Sequence, residues 1–351
     1  MIRACTLLLL LAAPLMPQSP AEPAVAKPAS DRQWLALPGG EGPGAGKHVV
    51  LVAGDEEYRS EEALPQLARI LATRHGFRCT VLFSTNPDDG TIDPEARGHI
   101  PGLEALAGAD CLVLFTRFRR LPDADMKHLV DYVESGRPVI GIRTATHAFA
   151  YPAGERSPYA HWSWDSPATS GGFGKQVLGE TWVAHHGHHG SESTRGVVPE
   201  AARAHPILRG VDDVWGPTDV YKVGPLPDDA TVLLEGEILA GMTPDSPPVD
   251  DPRNAPRMPV VWTRETDLGY DVVRRVVCST LGAAVDLRSE GVRRMLVNSV
   301  YWCTGLEAQI AERSDVECVG LYTPTMFGFG GAQKGVRVAD LQAGDSAPAG
   351  R

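Results

Sequence analysis

The chain has 351 residues, 43% of them hydrophobic, and a formal charge of −11 at neutral pH. Nucleic-acid affinity rests on cationic side chains that displace counterions, so an acidic chain without a basic stripe excludes nucleic acid as a partner, and an anionic membrane surface with it. The length suits one large domain with a proper core, and 29 prolines with 37 glycines imply many loops around that core.

The first 26 residues read as a cleavable signal peptide. Arg3 gives the positive start, Leu7 to Leu11 with Ala12 and Ala13 the apolar stretch, and Ala24-Val25-Ala26 a small-x-small cleavage site. The apolar run is too short to span a bilayer. Cys5 precedes that run, which is the wrong place for lipidation. The expected location is therefore periplasmic or secreted, with no membrane span after cleavage. Residues 27–46, rich in Pro, Gly and Ala, read as a disordered linker. Gly44-Ala45-Gly46-Lys47 has the look of a phosphate loop. It lacks the leading glycine, continues with His48 and precedes a strand instead of following one.

The folded part is expected over 47–308. A short run of the fully buried type, His48 to Ala53, predicts a strand, and it ends in Gly54-Asp55-Glu56-Glu57-Tyr58-Arg59-Ser60. A helix over 63–75, strands over 77–83 and 111–115, and a helix over 123–135 follow from the apolar spacing. They lead to a strand, Pro138 to Ile142, that runs into Arg143-Thr144-Ala145-Thr146-His147. Strands alternating with helices predict an α/β fold with a mostly parallel sheet. Residues 151–225 are irregular. Strands return at 231–234, 259–262 and 275–280, the latter two joined by a loop around Gly269. A final helix carries Val292, Met295, Leu296, Ser299, Val300 and Cys303 on one face and stops at Gly305. Residues 309–351 read as an irregular tail.

In an open α/β sheet ligands bind beyond the carboxyl ends of the strands. The 143–147 turn offers a guanidinium, two hydroxyls and an imidazole there, which suits holding a polar ligand better than attacking one. Arg143, Thr144, Thr146 and His147 are the expected floor. Asp55, Glu56, Tyr58 and Arg117 are the expected wall, with Trp162 in the aromatic loop His161-Trp162-Ser163-Trp164 as a cover. In Asp55-Glu56-Glu57 repulsion between neighbours can raise one pKa for acid–base work, although acids also favour a helix N-terminus for structural reasons. His185-His186-Gly187-His188-His189 with Glu192 invites a metal, and His186, His188 and Glu192 are the candidate ligands for zinc or another divalent ion. No other cofactor is expected. Five cysteines remain beyond the signal, without a zinc spacing, and one bridge, Cys303 to Cys318, would tie down the tail.

From about Lys47 to Glu307 the chain resembles the ThuA-like (trehalose utilisation) family. The resemblance is carried by Gly141-Ile142-Arg143-Thr144-Ala145-Thr146, by His205-Pro206, by Asp219-Val220-Tyr221, and by Pro259-Val260-Val261-Trp262 with Ser279-Thr280-Leu281-Gly282. The last helix with Trp302 adds to it. The acidic start at 54–62 and the segment 324–335 are similar to an exported bacterial subgroup. The resemblance implies the class I glutamine amidotransferase-like fold, a flavodoxin-like three-layer sandwich. In amidotransferases the strand–turn–helix elbow holds a nucleophilic cysteine paired with a histidine. Here Arg143 occupies the elbow, and Ala283 stands where many relatives have histidine. Thioester chemistry is thereby disfavoured. The leading expectation is an exported protein binding a polar, carbohydrate-derived ligand. Its alternatives are a carboxylate/histidine or metal-assisted hydrolase or isomerase acting on a sugar, and a non-catalytic scaffold in an envelope assembly docked through Phe327 to Gly335.

Overall fold

The computed structural model describes residues 33–166, 171–266 and 273–342. The proposed signal peptide, its cleavage site and Gly269 lie outside them. Twelve strands occur among the described residues: β1 (Trp34–Leu37), β2 (His48–Gly54), β3 (Arg78–Phe83), β4 (Cys111–Thr116), β5 (Val139–Ile142), β6 (Trp182–His185), β7 (Ser193–Val197), β8 (Trp215–Gly216), β9 (Tyr221–Val223), β10 (Ala230–Leu239), β11 (Met258–Thr266) and β12 (Arg274–Ser279). Ten form one sheet in the order β1-β3-β2-β4-β5-β12-β11-β10-β7-β8, and β6 pairs with β9 beside it.

The run β3-β2-β4-β5-β12 is parallel, while β1 and the β11-β10-β7-β8 flank are antiparallel. The expected mostly parallel sheet thus describes the centre only. Each central strand is apolar on both faces. Val49, Leu51 and Ala53 of β2 join a core with helices α1 (Ser60–His75) and α3 (Glu290–Cys303), whereas Val50 and Val52 face helix α2 (Asp123–Glu134) on the other side.

Helix α3 ends as its sequence foretells. Gly305 takes φ 74°, and the Leu306 amide donates to the Tyr301 carbonyl at 2.8 Å, closing a Schellman turn. Helix α1 begins at Ser60, earlier than expected, so Pro65 lies beyond its first turn. The interval 27–46 is not all linker, because Trp34–Leu37 adds a strand to the edge of β3 and buries Leu35. Among the described residues past 309 only α4 (Val338–Gln342) is regular, yet Ile310, Val316, Val336, Val338 and Leu341 are buried in the α1/α3 core. No disulfide fixes this segment: Cys303 and Cys318 are both free thiols, and Cys303 is buried on α3.

Glu61, in the first turn of α1, has both carboxylate oxygens buried without a hydrogen-bond partner, and burial pushes its pKa up to about 8. The folded state then holds a proton that the unfolded chain has released above its ordinary 4.5, so stability falls as pH rises between those values. Glu61→Gln is expected to be more stable than the parent at pH 8 by about 2–4 kcal/mol, with the gap closing near pH 4.5. Urea midpoints at the two pH values check this.

None of the described helices is long and apolar enough to cross a membrane.

Candidate functional site

Strand β5 delivers its last residue, Ile142, in extended conformation, and the chain then reverses through Arg143 at φ 48°. A large side chain rarely takes that left-handed backbone, and such strain is kept only where neighbours over-determine it. Here they do. The Arg143 guanidinium lies between the rings of Tyr58 and Tyr221, 4.4 and 3.6 Å from their centroids. It donates to the carbonyls of Asp219 at 2.8 Å and Thr280 at 2.7 Å, and to the Asp219 carboxylate at 2.9 Å. With no exposed surface, Arg143 is a buried pillar under the site and not part of its floor.

Most of the other expected ligand residues prove to be supports of the same kind. Asp55 caps its own turn, accepting from the amides of Glu57 and Tyr58 and from the Thr144 hydroxyl. Glu56 is buried and binds three guanidiniums, of Arg97, Arg117 and Arg119. Tyr58 is buried against Arg143, and Thr146 contacts the Arg143 carbonyl and His147 Nδ1. Trp162 packs in the core on Phe149 and Phe173, so it covers nothing. Thus hydroxyls and acids that look available in sequence are consumed by the turns they make.

Two expected residues lie beside an aromatic cleft, Arg117 half-buried at its rim and His147 buried behind it. His147 sits among Phe118, Trp182 and Tyr221 with ring centroids 5.0–6.1 Å away. Burial, with Arg117 and Arg143 nearby, holds its pKa well below that of a free imidazole, so it is neutral at neutral pH. Arg117 lies over Phe118 and Phe329 and reaches Glu57 at 3.6 Å. Trp164 completes the aromatic side by contacting Phe118 and Trp182.

The polar centre of the cleft comes from residues outside the expected ligand set, two of them from the same histidine cluster. Asp219, fully buried, accepts from His185 Nδ1 at 2.7 Å and from His189 Nδ1 at 3.1 Å. His189 Nε2 is 3.5 Å from Glu57. Burial alone would raise the Asp219 pKa, but Arg143 and the two histidines hold it below the carboxylate range. Burial raises that of Glu57, and Arg117 only partly opposes it. Of the metal ligands expected from sequence, His188 and Glu192 meet, Nδ1 to Oε1 at 3.2 Å, but His186 does not join them. Glu192 binds Arg253 through two bonds of 2.6 and 2.9 Å, and His186 Nε2 contacts the Arg253 carbonyl. Those three interactions brace the loop, and its neighbours His185 and His189 are the ones aimed at a shared carboxylate. Gly187 allows the loop to lie flat, since a Cβ there would meet the Val220 amide at 3.2 Å.

The tail closes one side. Phe327 packs on Tyr58 and His189, the Gly328 amide donates to the Glu57 carbonyl at 2.7 Å, and Arg59 donates to the Gly328 carbonyl at 2.6 Å. The segment expected to dock a partner is thus engaged by the chain's own site.

Together these features define an α/β domain with an aromatic, imidazole- and carboxylate-bearing cleft beyond its parallel strands and an arginine at the strand–turn elbow. A family model described as trehalose utilisation, ThuA, matches residues 49–303, and the chain belongs to that family. Among solved structures it is similar to a ThuA-like protein from Parabacteroides merdae, at 14% identity and TM-score 0.48, covering 74% of this chain and 90% of that one. It is also similar to a ThuA-like protein from Bacteroides uniformis, at 16% identity and TM-score 0.45, covering 76% and 94%. No curated protein matches the sequence.

Proposed function

We propose that this ThuA-family chain is an exported protein that binds a polar, carbohydrate-derived ligand, in a class I glutamine amidotransferase-like arrangement that has lost the nucleophile. One observation carries the reading: the half-buried rings of Phe118, Trp164 and Trp182 form a contiguous set beside the partly exposed His185, His189 and Arg117. A sugar ring presents apolar C–H faces and polar edges, and a cleft with aromatic faces and fixed donors and acceptors complements both. Phe118 also borders an open groove of about 1010 Å³ lined by Arg97, Arg120, Tyr151 and Glu155, which gives a longer ligand room to extend. The family description supplies the sugars to try first, trehalose and other disaccharides. Calorimetric titration with such a panel is expected to find a binder, and Trp182→Ala to weaken it about tenfold, the worth of one aromatic face. If no member of the panel binds, the reading fails.

A second reading, a hydrolase or isomerase, is favoured by the chain Glu57–His189–Asp219–His185. A carboxylate with a raised pKa beside an oriented imidazole is an acid–base pair that needs no nucleophile at the elbow. Turnover of the bound sugar, followed by product analysis, separates it from binding alone.

A further inference from the structure

We propose that His185, His189 and Asp219 form a binding site for a divalent first-row transition metal, with open positions toward the aromatic cleft. One ligand atom from each of the three lies within 4.8 Å of the others. Both Nδ1 atoms already face the carboxylate, at 2.7 and 3.1 Å. Ligands about 2.1 Å from a tetrahedral ion are separated by about 3.4 Å, so both contacts, His185 to Oδ2 and His189 to Oδ1, are somewhat shorter than the ion needs, and small side-chain rotations that part them would admit it.

The surroundings match as well. A histidine that ligates through one ring nitrogen almost always donates the other N–H to a carboxylate, a backbone carbonyl or water, which fixes the ring and raises its basicity. His189 presents Nδ1 to Asp219 and Nε2 to Glu57, 3.5 Å away. A ligating carboxylate is itself usually hydrogen-bonded, and Arg143 holds Asp219 through Oδ1, leaving Oδ2 toward His185. Two imidazoles and one carboxylate suit zinc, iron, cobalt or nickel, whereas magnesium and calcium prefer oxygen ligands throughout. The histidine side chains are about one-third exposed, at 37% and 33%, so the ion has a path in and room for a further ligand.

The inference does not depend on the sugar reading, because its test contains no sugar. The chain is produced without a histidine tag, stripped with a chelator and titrated with Zn(II), and in parallel with Co(II) followed by visible absorption. One equivalent is expected to bind. His185→Ala/His189→Ala should lose at least 100-fold in affinity, while His186→Ala/His188→Ala retains it. Glu57→Gln should weaken binding by about 10- to 100-fold at unchanged stoichiometry, the usual effect of removing a ligand's supporting partner. The altered histidines are partly exposed, and thermal unfolding of each metal-free variant verifies that the fold is kept. Failure of the parent chain to bind one equivalent would overturn the proposal. So would equal binding by His185→Ala/His189→Ala, or loss confined to His186→Ala/His188→Ala.

Discussion

Arg143→Met is expected to destabilise the fold by about 3–5 kcal/mol, the cost of removing one member of a buried ion pair. The guanidinium serves Asp219 twice, through carbonyl and carboxylate, and reaches the Thr280 carbonyl and the Tyr58 hydroxyl. Methionine fills much of the slot between Tyr58 and Tyr221 but satisfies none of those acceptors. Arg143→Lys keeps the charge and loses the fork that reaches several oxygens at once, so its loss should be intermediate. The pH dependence gives an independent check. The folded pKa of Asp219 lies below its ordinary 3.8, so the pair's contribution is present above that value and disappears as pH falls below it. The parent chain should therefore lose stability in acid more steeply than Arg143→Met. Urea denaturation at pH 7 and pH 3 measures both effects. A loss under about 1 kcal/mol at pH 7 would show that the pair does not hold the elbow.

The parallel centre of the sheet was legible because apolar runs such as 48–53 and 111–115 admit few other conformations, and the helices between them repeat at helical spacing. The antiparallel flank was harder. Residues 230–239 contain Glu235, Gly236 and Glu237, so only the apolar start of a ten-residue strand stood out. Trp34–Leu37 was hidden by its Pro- and Gly-rich flanks, although four residues suffice to cap a sheet edge. At the site, sequence located the turns but not which side chains face the ligand. That choice was made by buried partners: Asp55, Glu56 and Arg143 look alike to a reader of spacing, but Asp55 is spent on its own turn and the Thr144 hydroxyl, and Glu56 and Arg143 on ion pairs. Among the histidines the decision fell to the Glu192–Arg253 pair, which fixes His186 and leaves His185 and His189 to meet Asp219. Asp219-Val220-Tyr221 stood out only as part of the family resemblance, because its partners lie 30 or more residues earlier in the chain.

Glu56 is expected to be as sensitive as Arg143, for a related reason with the opposite charge left over. One of its oxygens takes Arg97 at 2.9 Å and Arg117 at 2.7 Å, and the other takes Arg119 at 2.7 Å. Arg97 is half exposed and can turn to water, but Arg119 has no exposed surface. Burial lowers the Arg119 pKa to about 10 even with Glu56 beside it. Glu56→Gln keeps the shape and removes the charge, leaving that guanidinium with Ser84, the Pro94 carbonyl and the Arg117 carbonyl as neutral acceptors. The expected loss is about 3–5 kcal/mol. Glu56→Gln/Arg119→Met removes both buried charges and should recover a large part of it, since an ion pair replaced by packed apolar atoms costs far less than an ion pair broken. Arg117, released from Glu56, would be left with Glu57 as its remaining carboxylate, and would draw it away from His189. Glu56→Gln should therefore also weaken metal uptake at His185, His189 and Asp219, although Glu56 touches none of the three. Chemical denaturation of the double-mutant cycle, with a Co(II) titration of each stable member, tests both statements.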